Sequence, residues 1–274
     1  MRSLDALDVR GKRVLVRCDL NVPLKDGRIG DDLRIRSAVP TLAALLDRGA
    51  RLAVCSHLGR PKGKPVEELR LAPVANRLAE LLGKDVRSAG DVVGEDARAA
   101  CSSEADVVLL ENLRFEPGEE KNDPALADAL AGLADAYVND AFGAAHRAHA
   151  SIVGVAERLP SAAGYLLAAE VEKLERLLHD PNKPFVAVLG GAKVSDKLAV
   201  IGNLLERVDA ICIGGAMAFT LLVAQDKEVG RSLVERDRVD EVAGILSDAE
   251  RRGVDVFVPT DVVAADSIEE GAAH

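Results

Sequence analysis

The 274-residue chain contains no tryptophan, and aromatic residues make up only 3% of it, so any nucleobase pocket must be lined mostly by aliphatic side chains. It also lacks a basic excess: the formal net charge is −10. We therefore expect no nucleic-acid partner. No apolar run approaches the length of a membrane span, and Asp5 and Asp8 interrupt the N-terminus where a signal peptide would be apolar. These absences predict a cytoplasmic protein without a membrane partner.

Cysteine pairs at metal-binding or redox spacing are absent as well. The four cysteines are scattered without a CxxC spacing, and they are Cys18, Cys55, Cys101 and Cys212. We expect reduced thiols rather than disulfides or metal ligands. His146 and His149 have a spacing that could bind a metal, but no third histidine or cysteine lies nearby. A structural or anion-binding role for these two histidines is therefore favoured, and no protein metal site is predicted.

What the chain does have is a regular alternation of apolar runs and helix-patterned stretches, which is typical of βαβ units and a parallel sheet. Predicted helices cover 37–48, 71–82, 124–134 and 194–207. A further helix, Leu166 to His179, is stopped by the Asp180–Pro184 segment. It is either an ordinary amphipathic surface helix or a spacer between two α/β lobes. The strand predicted immediately afterwards, from residue 185, is the reason to consider a spacer.

Four strand-like runs in the first half each lead directly into a polar cluster that holds an arginine or histidine. These clusters are Arg17, Asp19 and Asn21; His57 and Arg60; Glu111, Asn112 and Arg114; and Asn139, Asp140, His146 and Arg147. Ligands of open α/β sheets bind beyond the carboxyl ends of the strands. We therefore expect the clusters to meet at one sheet edge and to bind a small ligand rich in carboxylate and phosphate.

The second half contains a phosphate-binding pattern. A strand at 186–189 is followed by Gly190 and Gly191, and a helix is predicted to begin at Val194. Such a glycine turn lets an anion approach backbone N–H groups at a helix N-terminus. On a helix, Lys193 and Lys197 would share one face. The spacing is not that of a Walker A loop. A second glycine turn, Gly214–Gly215, follows the next strand, so together the two turns predict a nucleotide-phosphate site.

Some residues in these clusters allow two interpretations. Asp19 and Asn21 suit either a ligand hydroxyl or the capping of a turn. Arg34 is placed in a polar turn region, and His57 either contacts a ligand or bonds within its own loop. Four acidic residues are interpreted as ion-pair or solvated groups rather than as a catalytic pair: Glu111, Glu116, Glu119 and Glu120.

Six motifs together resemble one known family. They are RCDLNVPL (17–24), SHLGRP (56–61), ENLRF (111–115), NDAFGAAHRAHAS (139–151), GGAKVSDK (190–197) and IGGAMAFT (213–220). Their order and spacing are similar to those of phosphoglycerate kinases, over residues 1–265. The resemblance implies a glycolytic kinase that reversibly transfers a phosphoryl group between 1,3-bisphosphoglycerate and Mg-ADP, giving 3-phosphoglycerate and Mg-ATP.

The resemblance also implies an architecture and a set of site residues. The fold would be two Rossmann-like parallel-sheet lobes joined by a helix, with hinge closure bringing the reactants together. The lobes would be residues 1–165, binding phosphoglycerate, and 183–274, binding the nucleotide, with 166–182 as the connecting helix. Phosphoglycerate-binding residues would be Arg17, Asp19, Asn21, Arg34, His57, Arg60, Arg114 and Arg147. Nucleotide-binding residues would be Gly191, Lys193, Lys197, Gly214 and Gly215.

The chemistry of this transfer is compatible with these residues. A carboxylate nucleophile is already ionised at neutral pH, so the reaction needs positioning and charge neutralisation rather than a general base. We assign the neutralising, catalytic role to Arg34 and Lys193. The expected cofactor is Mg²⁺ bound with ADP or ATP, and the chain is expected to be a monomer.

The chain departs from the family pattern in two places. Ala216 replaces a glycine of the second turn, and the segments that frame the ribose and supply the magnesium aspartate do not appear. We therefore expect an incomplete second lobe, a missing magnesium ligand, and little or no turnover by this chain. The first hypothesis is a kinase sequence that is truncated; the alternative is a fragment that binds phosphoglycerate without catalysis.

Overall fold

A computed structural model describes residues 2–267, and the chain divides into two compact units. The N-terminal unit is Met1–Lys173 and the C-terminal unit is Leu174–His274. The end of the expected second lobe, residues 268–274, lies outside the described part. Within that part, no helix is both long and apolar enough to cross a membrane.

The N-terminal unit is built on a parallel sheet. Its strands are β1 (Arg13–Arg17), β2 (Leu24–Lys25), β3 (Arg28–Ile29), β4 (Arg51–Cys55), β5 (Val86–Ser88), β6 (Val107–Leu109), β7 (Ala136–Asn139) and β8 (Ser161–Ala163). Strands β2 and β3 form a separate antiparallel hairpin. The other six are parallel, in the order β5-β6-β4-β1-β7-β8.

Helices cover both faces of this sheet. They are α1 (Leu33–Asp47), α2 (Ala72–Leu82), α3 (Glu95–Ser102), α4 (Pro124–Ala131), the short α5 (Phe142–Ala145) and α6 (Tyr165–His179). Val14 and Val16 of β1 pack in one core with residues of α1 and α2, whereas Leu15 packs in the other with residues of α3 and α4. Burial on both faces explains why the strands are continuous apolar runs, and it confirms the α/β prediction.

The order of the strands reverses at β1. The chain leaves β1 for β4 on one side of it and later returns to β7 on the other side. Open α/β sheets bind ligands at such a reversal, beyond the carboxyl ends of the strands. The loops that follow β1, β4, β6 and β7 therefore lie where a ligand site is expected.

The predicted helices differ from the observed ones mainly at their ends. The prediction for α2 was right within one residue, and α4 ends earlier than expected, at Ala131. Helix α1 begins at Leu33 rather than 37, and the Asp31 carboxylate accepts a hydrogen bond from the Leu33 N–H at 2.8 Å, which gives the first helical N–H a partner. The placement of Arg34 in a turn was therefore wrong, since it lies in the first turn of α1.

Helix α6 starts beside the strand edge that carries the polar clusters. The buried Oδ1 of Asp140 accepts hydrogen bonds from the N–H groups of Leu166 (2.9 Å) and Leu167 (3.3 Å). An aspartate in this position satisfies N–H groups that a helix start leaves unpaired. The helix ends at His179, and the division between the two units falls inside it.

The C-terminal unit contains a second, smaller parallel sheet. Its elements are β9 (Val186–Gly190), α7 (Leu198–Leu204), β10 (Ala210–Gly214), α8 (Met217–Ala224), α9 (Val239–Arg252) and β11 (Asp255–Phe257). The strand order is β11-β10-β9. Side chains of α7, α8 and α9 pack on one face of the sheet, around Ile211 and Ile213. Both sheets agree with the predicted fold class.

The other face of the smaller sheet is exposed. Val188 is 78% exposed, and Val186 and Phe257 are exposed as well. These residues alternate with the buried positions on their strands, so they share the face opposite α7, α8 and α9.

Candidate active site

Hydrogen bonds join the strand-end loops of the N-terminal unit to one another. The Asn21 side-chain oxygen accepts from the Gly59 N–H at 2.9 Å, which links the loop after β1 to the loop after β4. Asn112 links the loop after β6 to the same region, because its oxygen accepts from Leu58 N–H and its Nδ2 donates to Leu58 O. Three of the four polar clusters are therefore held together by the protein itself.

Arg17 lies at the end of β1 and is almost completely buried, with 1% of its surface exposed. Its Nε donates to Ser151 Oγ at 3.0 Å, one Nη donates to the Cys18 carbonyl, and Nη2 lies 3.0 Å from His57 Nδ1. All three guanidinium nitrogens thus have partners within the unit. This arrangement fixes the orientation of Arg17 before any ligand arrives.

His57 follows β4 and is 9% exposed. Burial, which is the largest cause, and the positive charges of Arg17, Arg114 and Arg147 together lower the pKa of His57 from 6.5 to about 3. Because these three arginines act on one imidazole, the clusters after β1, β6 and β7 do converge on the cluster after β4. The ring is neutral at physiological pH.

Arg114 is also buried at this edge. Its Nη1 donates to the Gly59 carbonyl at 2.7 Å, while its Nε lies 3.1 Å from Glu120 Oε1 without the alignment of a hydrogen bond. Arg147 is exposed, and its Nε donates to His146 Nε2 at 3.3 Å. Arg114 is therefore buried and tethered at this edge, whereas Arg147 is exposed.

The remaining expected ligands of this site are more open. Arg34 is half-exposed and forms an ion pair with Asp19, whose side chain is mostly buried. Arg60 is exposed, and among residues 2–267 its side chain has neither a hydrogen bond nor an ion pair. These two arginines retain the freedom to move onto a ligand.

Two buried residues of this region were missed as site residues. Ser151 lies between Arg17 and the carboxylate of Glu119, to which its hydroxyl donates at 2.6 Å and its N–H at 3.0 Å. Glu119 has no exposed surface, so of its two predicted roles, ion-pair or solvated group, the solvated one is excluded. His149 Nδ1 lies 3.6 Å from Glu119 Oε1, which fits a structural role for this histidine.

The other acidic residues have different surroundings. Glu111 is buried, with Oε2 3.0 Å from Arg70 and Oε1 accepting from Leu71 N–H at 3.0 Å. Glu120 pairs with Arg114, as described above. Burial raises the pKa of the Glu116 carboxyl, and the negative charge of Asp91 adds to the effect.

In the C-terminal unit, the two glycine turns abut each other. The Met217 N–H donates to the Gly191 carbonyl at 3.0 Å. Gly215 has φ +70°, and a Cβ on it would lie 2.9 Å from that same carbonyl oxygen. Glycine is therefore required at residue 215 by both its conformation and its contact. The structure places the turns after β9 and β10 side by side.

The segment between Gly191 and Lys197 is not helical, so the helix predicted from Val194 begins only at Leu198. The cause is Glu235, whose carboxylate accepts from the N–H groups of Val194 (2.6 Å) and Ser195 (3.1 Å). This carboxylate, from a distant part of the chain, holds the segment as a turn. Lys193 and Lys197 therefore do not share a helix face, and that prediction was wrong.

Neither of these lysines is tethered. Lys193 is exposed and Lys197 is partly exposed, and within residues 2–267 neither ammonium forms an ion pair or a hydrogen bond. The nearby Glu235 has a lowered pKa because it accepts hydrogen bonds from Ser195 and Val194, with a smaller contribution from the charge of Lys193. Two cations without an ion pair or hydrogen bond among the described residues thus follow the first glycine turn along the chain.

Comparison with known proteins identifies the family. A family model for phosphoglycerate kinase matches residues 4–274. The phosphoglycerate kinase of Thermomicrobium roseum is 59% identical over 267 residues, which are 97% of this chain and 68% of that protein. The protein of the same name from Clavibacter michiganensis is 55% identical, covering all of this chain and 70% of its own length.

The chain belongs to the phosphoglycerate kinase family.

Solved structures agree with this assignment. The phosphoglycerate kinase of Coxiella burnetii superposes with a TM-score of 0.86 at 41% identity, covering 99% of this chain and 69% of that one. The Pyrococcus horikoshii phosphoglycerate kinase gives a TM-score of 0.79 at 32% identity, covering 94% of this chain and 67% of that one. The chain thus spans about 70% of the length of the phosphoglycerate kinases it matches.

Family membership directs attention to magnesium, which phosphoglycerate kinases use with their nucleotide. Within residues 2–267 there is no group of three or more histidine, cysteine, aspartate or glutamate side chains that could hold a metal. The Glu235 carboxylate near the glycine turns already accepts hydrogen bonds from the Val194 N–H and the Ser195 hydroxyl. The described residues do not fit a protein-bound magnesium ion, and we derive no step through one.

Proposed function

We propose that this chain serves the reaction of its family, the reversible transfer of a phosphoryl group between 1,3-bisphosphoglycerate and Mg-ADP, giving 3-phosphoglycerate and Mg-ATP. We place it in glycolysis, in the cytoplasm, as a monomer. Residues 1–165 are proposed to form the phosphoglycerate lobe, 166–182 the connecting helix and 183–274 the nucleotide lobe.

The observation that carries the proposal is the convergence of cations on His57. Arg17, Arg114 and Arg147 come from three different strand ends, and all three influence the same imidazole. A guanidinium matches the geometry of carboxylate and phosphate oxygens, and several together suit a ligand that carries both groups. 3-Phosphoglycerate is such a ligand.

The proposed roles of these residues follow from their tethering. The buried Arg114, and His57 held by Arg17, form the preformed part of the anion site. The exposed Arg60 and Arg147 close onto the ligand, and Asn21 and Asp19 contact its polar groups. Arg34 exchanges its ion pair with Asp19 for the negative charge of the transferring group, which is the neutralising role assigned to it from the sequence.

The C-terminal unit is proposed to bind the nucleotide phosphates. The abutting turns of Gly191 and Gly214–Gly215 leave room for a phosphate near the backbone, and Lys197 lies just before α7. Lys193 is proposed to neutralise the transferring group. Magnesium enters with the nucleotide, and we assign it no ligand among the described residues.

A second candidate function is binding of phosphoglycerate without turnover. It is favoured by the C-terminal unit, in which both lysines are untethered and the sheet exposes Val188 and Phe257. A site that must be organised by its ligand loses binding energy to that ordering. For the same reason we expect this chain to form ATP slowly or not at all from 1,3-bisphosphoglycerate and Mg-ADP.

Calorimetric titration with 3-phosphoglycerate tests the proposed site. Arg114→Gln removes one charged donor from the edge, and we expect its Kd to rise about tenfold to a hundredfold. Arg98→Gln is the matched control, because Arg98 is an exposed residue of α3 outside the site. Equal affinities of the two variants, or no binding by the unmodified chain, would contradict the proposal.

A coupled assay of ATP formation on the unmodified chain then separates the two candidate functions. Turnover at an ordinary kinase rate, about 1–100 per second, would support the enzyme and refute the non-catalytic binder. Binding of 3-phosphoglycerate without turnover would support the second candidate for this chain.

A further inference from the structure

Four buried polar side chains form a continuous series that ends at the proposed anion site. Glu119 accepts from Ser151, Ser151 accepts from Arg17, and Arg17 contacts His57. None of the four is more than 9% exposed. Buried polar groups are costly unless every one is paired, so a series of this kind constrains each member to one orientation.

The direction of each hydrogen bond follows from chemistry. An arginine side chain only donates, and it stays protonated in proteins. His57 Nδ1, 3.0 Å from Arg17 Nη2, must therefore be an unprotonated acceptor. A neutral imidazole with a free electron pair on Nδ1 carries its proton on Nε2. Either a proton on Nδ1 or an imidazolium would oppose two N–H groups and break this contact.

The same reasoning applies further from the site. Arg17 Nε donates to Ser151 Oγ, so the serine hydroxyl proton is free to point elsewhere. It points at Glu119 Oε1, 2.6 Å away, and Glu119 Oε2 accepts the Ser151 backbone N–H. Burial alone would raise the pKa of Glu119, but His149, Arg17 and Ser151 together lower it, so Glu119 is an ionised acceptor.

We propose that Glu119, acting through Ser151 and Arg17, is a positioning residue that fixes His57 as the tautomer with its proton on Nε2. The proposal rests on the proposed phosphoglycerate site. Among residues 2–267, Nε2 has no hydrogen-bond partner, and it keeps access to solvent. His57 therefore offers a neutral N–H donor to an anionic substrate.

A neutral donor has a physical advantage in this place. Arg17, Arg114 and Arg147 already bring three positive charges to the imidazole, and a fourth would add repulsion in the ligand-free protein. The lowered pKa of His57 is consistent with this surplus. The series thus gives the site another hydrogen bond for its anion without further positive charge.

The test begins with the unmodified full chain. Nuclear magnetic resonance correlations between ring protons and ring nitrogens show which nitrogen of each histidine is protonated, and His57→Gln assigns the His57 signals. The expected result is an unprotonated Nδ1 and a protonated Nε2, unchanged between pH 5 and 8. A proton on Nδ1, or a ring that becomes charged in this range, would overturn the proposal without any need for a variant.

Ser151→Ala interrupts the series, and Ser103→Ala is its control. Ser103 follows α3 and precedes β6, so it lies at the opposite edge of the sheet, and its hydroxyl donates only to the Ala100 carbonyl. In Ser151→Ala we expect a mixture of His57 tautomers and a Kd for 3-phosphoglycerate about fivefold higher. Glu119→Gln should change both readouts in the same direction, and Ser103→Ala neither.

A purely structural role for Ser151 would give a different pattern. Ser151→Ala would then lower the melting temperature while leaving the His57 tautomer and the 3-phosphoglycerate affinity equal to those of Ser103→Ala, and this result would overturn the inference. Failure of the unmodified chain to bind 3-phosphoglycerate would instead refute the proposed function. The ring spectra of the unmodified chain and of Ser151→Ala would still decide the tautomer.

Discussion

The two units hold their cations in opposite ways. In the N-terminal unit, Arg17 and Arg114 are buried and hydrogen-bonded to the backbone or to other side chains. In the C-terminal unit, Lys193 is exposed and Lys197 partly so, without such partners among residues 2–267. Side chains that are already held in place lose less conformational entropy when a ligand binds, so less of the binding free energy is spent on ordering them. The proposed phosphoglycerate site is therefore expected to be organised before its ligand binds, whereas the proposed nucleotide site depends on its ligand for order.

The two sheets that carry these sites also differ in how fully helices cover them. The sheet of the N-terminal unit is covered by helices on both faces, and the smaller sheet has helices on one face and exposed Val188 and Phe257 on the other. A binding site is as rigid as the elements that carry it.

Hydrogen exchange measured by mass spectrometry, together with limited proteolysis, should show a large difference in local stability between the two sheets. We expect backbone amides of β9, β10 and β11 to exchange about a hundredfold faster than those of β1 and β4, because a half-covered sheet opens more easily. Proteases should accordingly cleave the C-terminal unit first and leave a resistant fragment of about residues 1–165. Equal protection of the two sheets would contradict the contrast.

Substitutions of two adjacent glycines test whether the backbone of the proposed nucleotide turns is held in one conformation. Gly215→Ala should lower the free energy of unfolding of its unit by about 2 kcal/mol, because φ +70° and the Gly191 carbonyl both oppose a Cβ. Gly214→Ala is the matched control, since no atom lies within 4 Å of a Cβ there, and we expect a change within about 0.5 kcal/mol. Denaturant unfolding followed by exchange of β9 and β10 amides would measure both.

If Gly215→Ala and Gly214→Ala unfold alike, the abutting geometry of the two turns is not a constraint. The nucleotide side of the comparison would then be flexible in its backbone as well as in its lysines.

The pH dependence of stability should reveal the buried imidazole of the N-terminal unit. The pKa of His57 is about 3 in the folded chain, below its usual 6.5, so the unfolded chain binds the proton first as the pH falls. The stability that the neutral His57 ring contributes to the folded chain is fully present above pH 6.5 and is lost as the pH falls toward 3. The free energy of unfolding then changes by up to about 1.4 kcal/mol per pH unit. His57→Gln should lack this component.

The groups that share this environment also titrate or carry charge, namely Arg17, Arg114, Glu119 and Arg147. Comparing the unfolding free energies of the two proteins from pH 4 to 7 isolates the part due to His57. Parallel profiles would show that His57 is not held neutral.

The smallest expected effect concerns the exposed sheet face. Val188→Thr should change the free energy of unfolding by less than about 0.5 kcal/mol, because Val188 is 78% exposed. The same substitution at the fully buried Val16 should cost about 2 kcal/mol, since it buries a hydroxyl without a partner. Chemical denaturation of both variants measures the difference. A large cost at Val188 would mean that this face is covered in solution.

Several features of the structure could be predicted from the sequence because they are local. The apolar runs predicted the strands, and the polar residues that follow them predicted the edge where Arg17, His57 and Arg114 meet. The rule that parallel strands end at one edge connects these segments without knowledge of any contact. Paired glycines after β9 and β10 likewise predicted two neighbouring turns.

What could not be predicted depends on contacts between distant residues. Ser151 meets Arg17 across 134 positions, and Glu235 reaches Ser195 across 40. No periodicity or spacing signals such a contact, so Glu119 was interpreted as an ordinary charged residue and the 194–197 turn as a helix. The only hint was that Ser151 ends the NDAFGAAHRAHAS motif, which is too weak to assign a partner.

Parallel calorimetric titrations of the full chain with 3-phosphoglycerate and with Mg-ADP test the central contrast most directly. A preorganised first site and an unordered second site predict saturable binding of one 3-phosphoglycerate per chain, and Mg-ADP binding that is weaker by about tenfold or more. Binding of Mg-ADP as tight as that of 3-phosphoglycerate would contradict the account, because the C-terminal unit would then be organised without tethered cations.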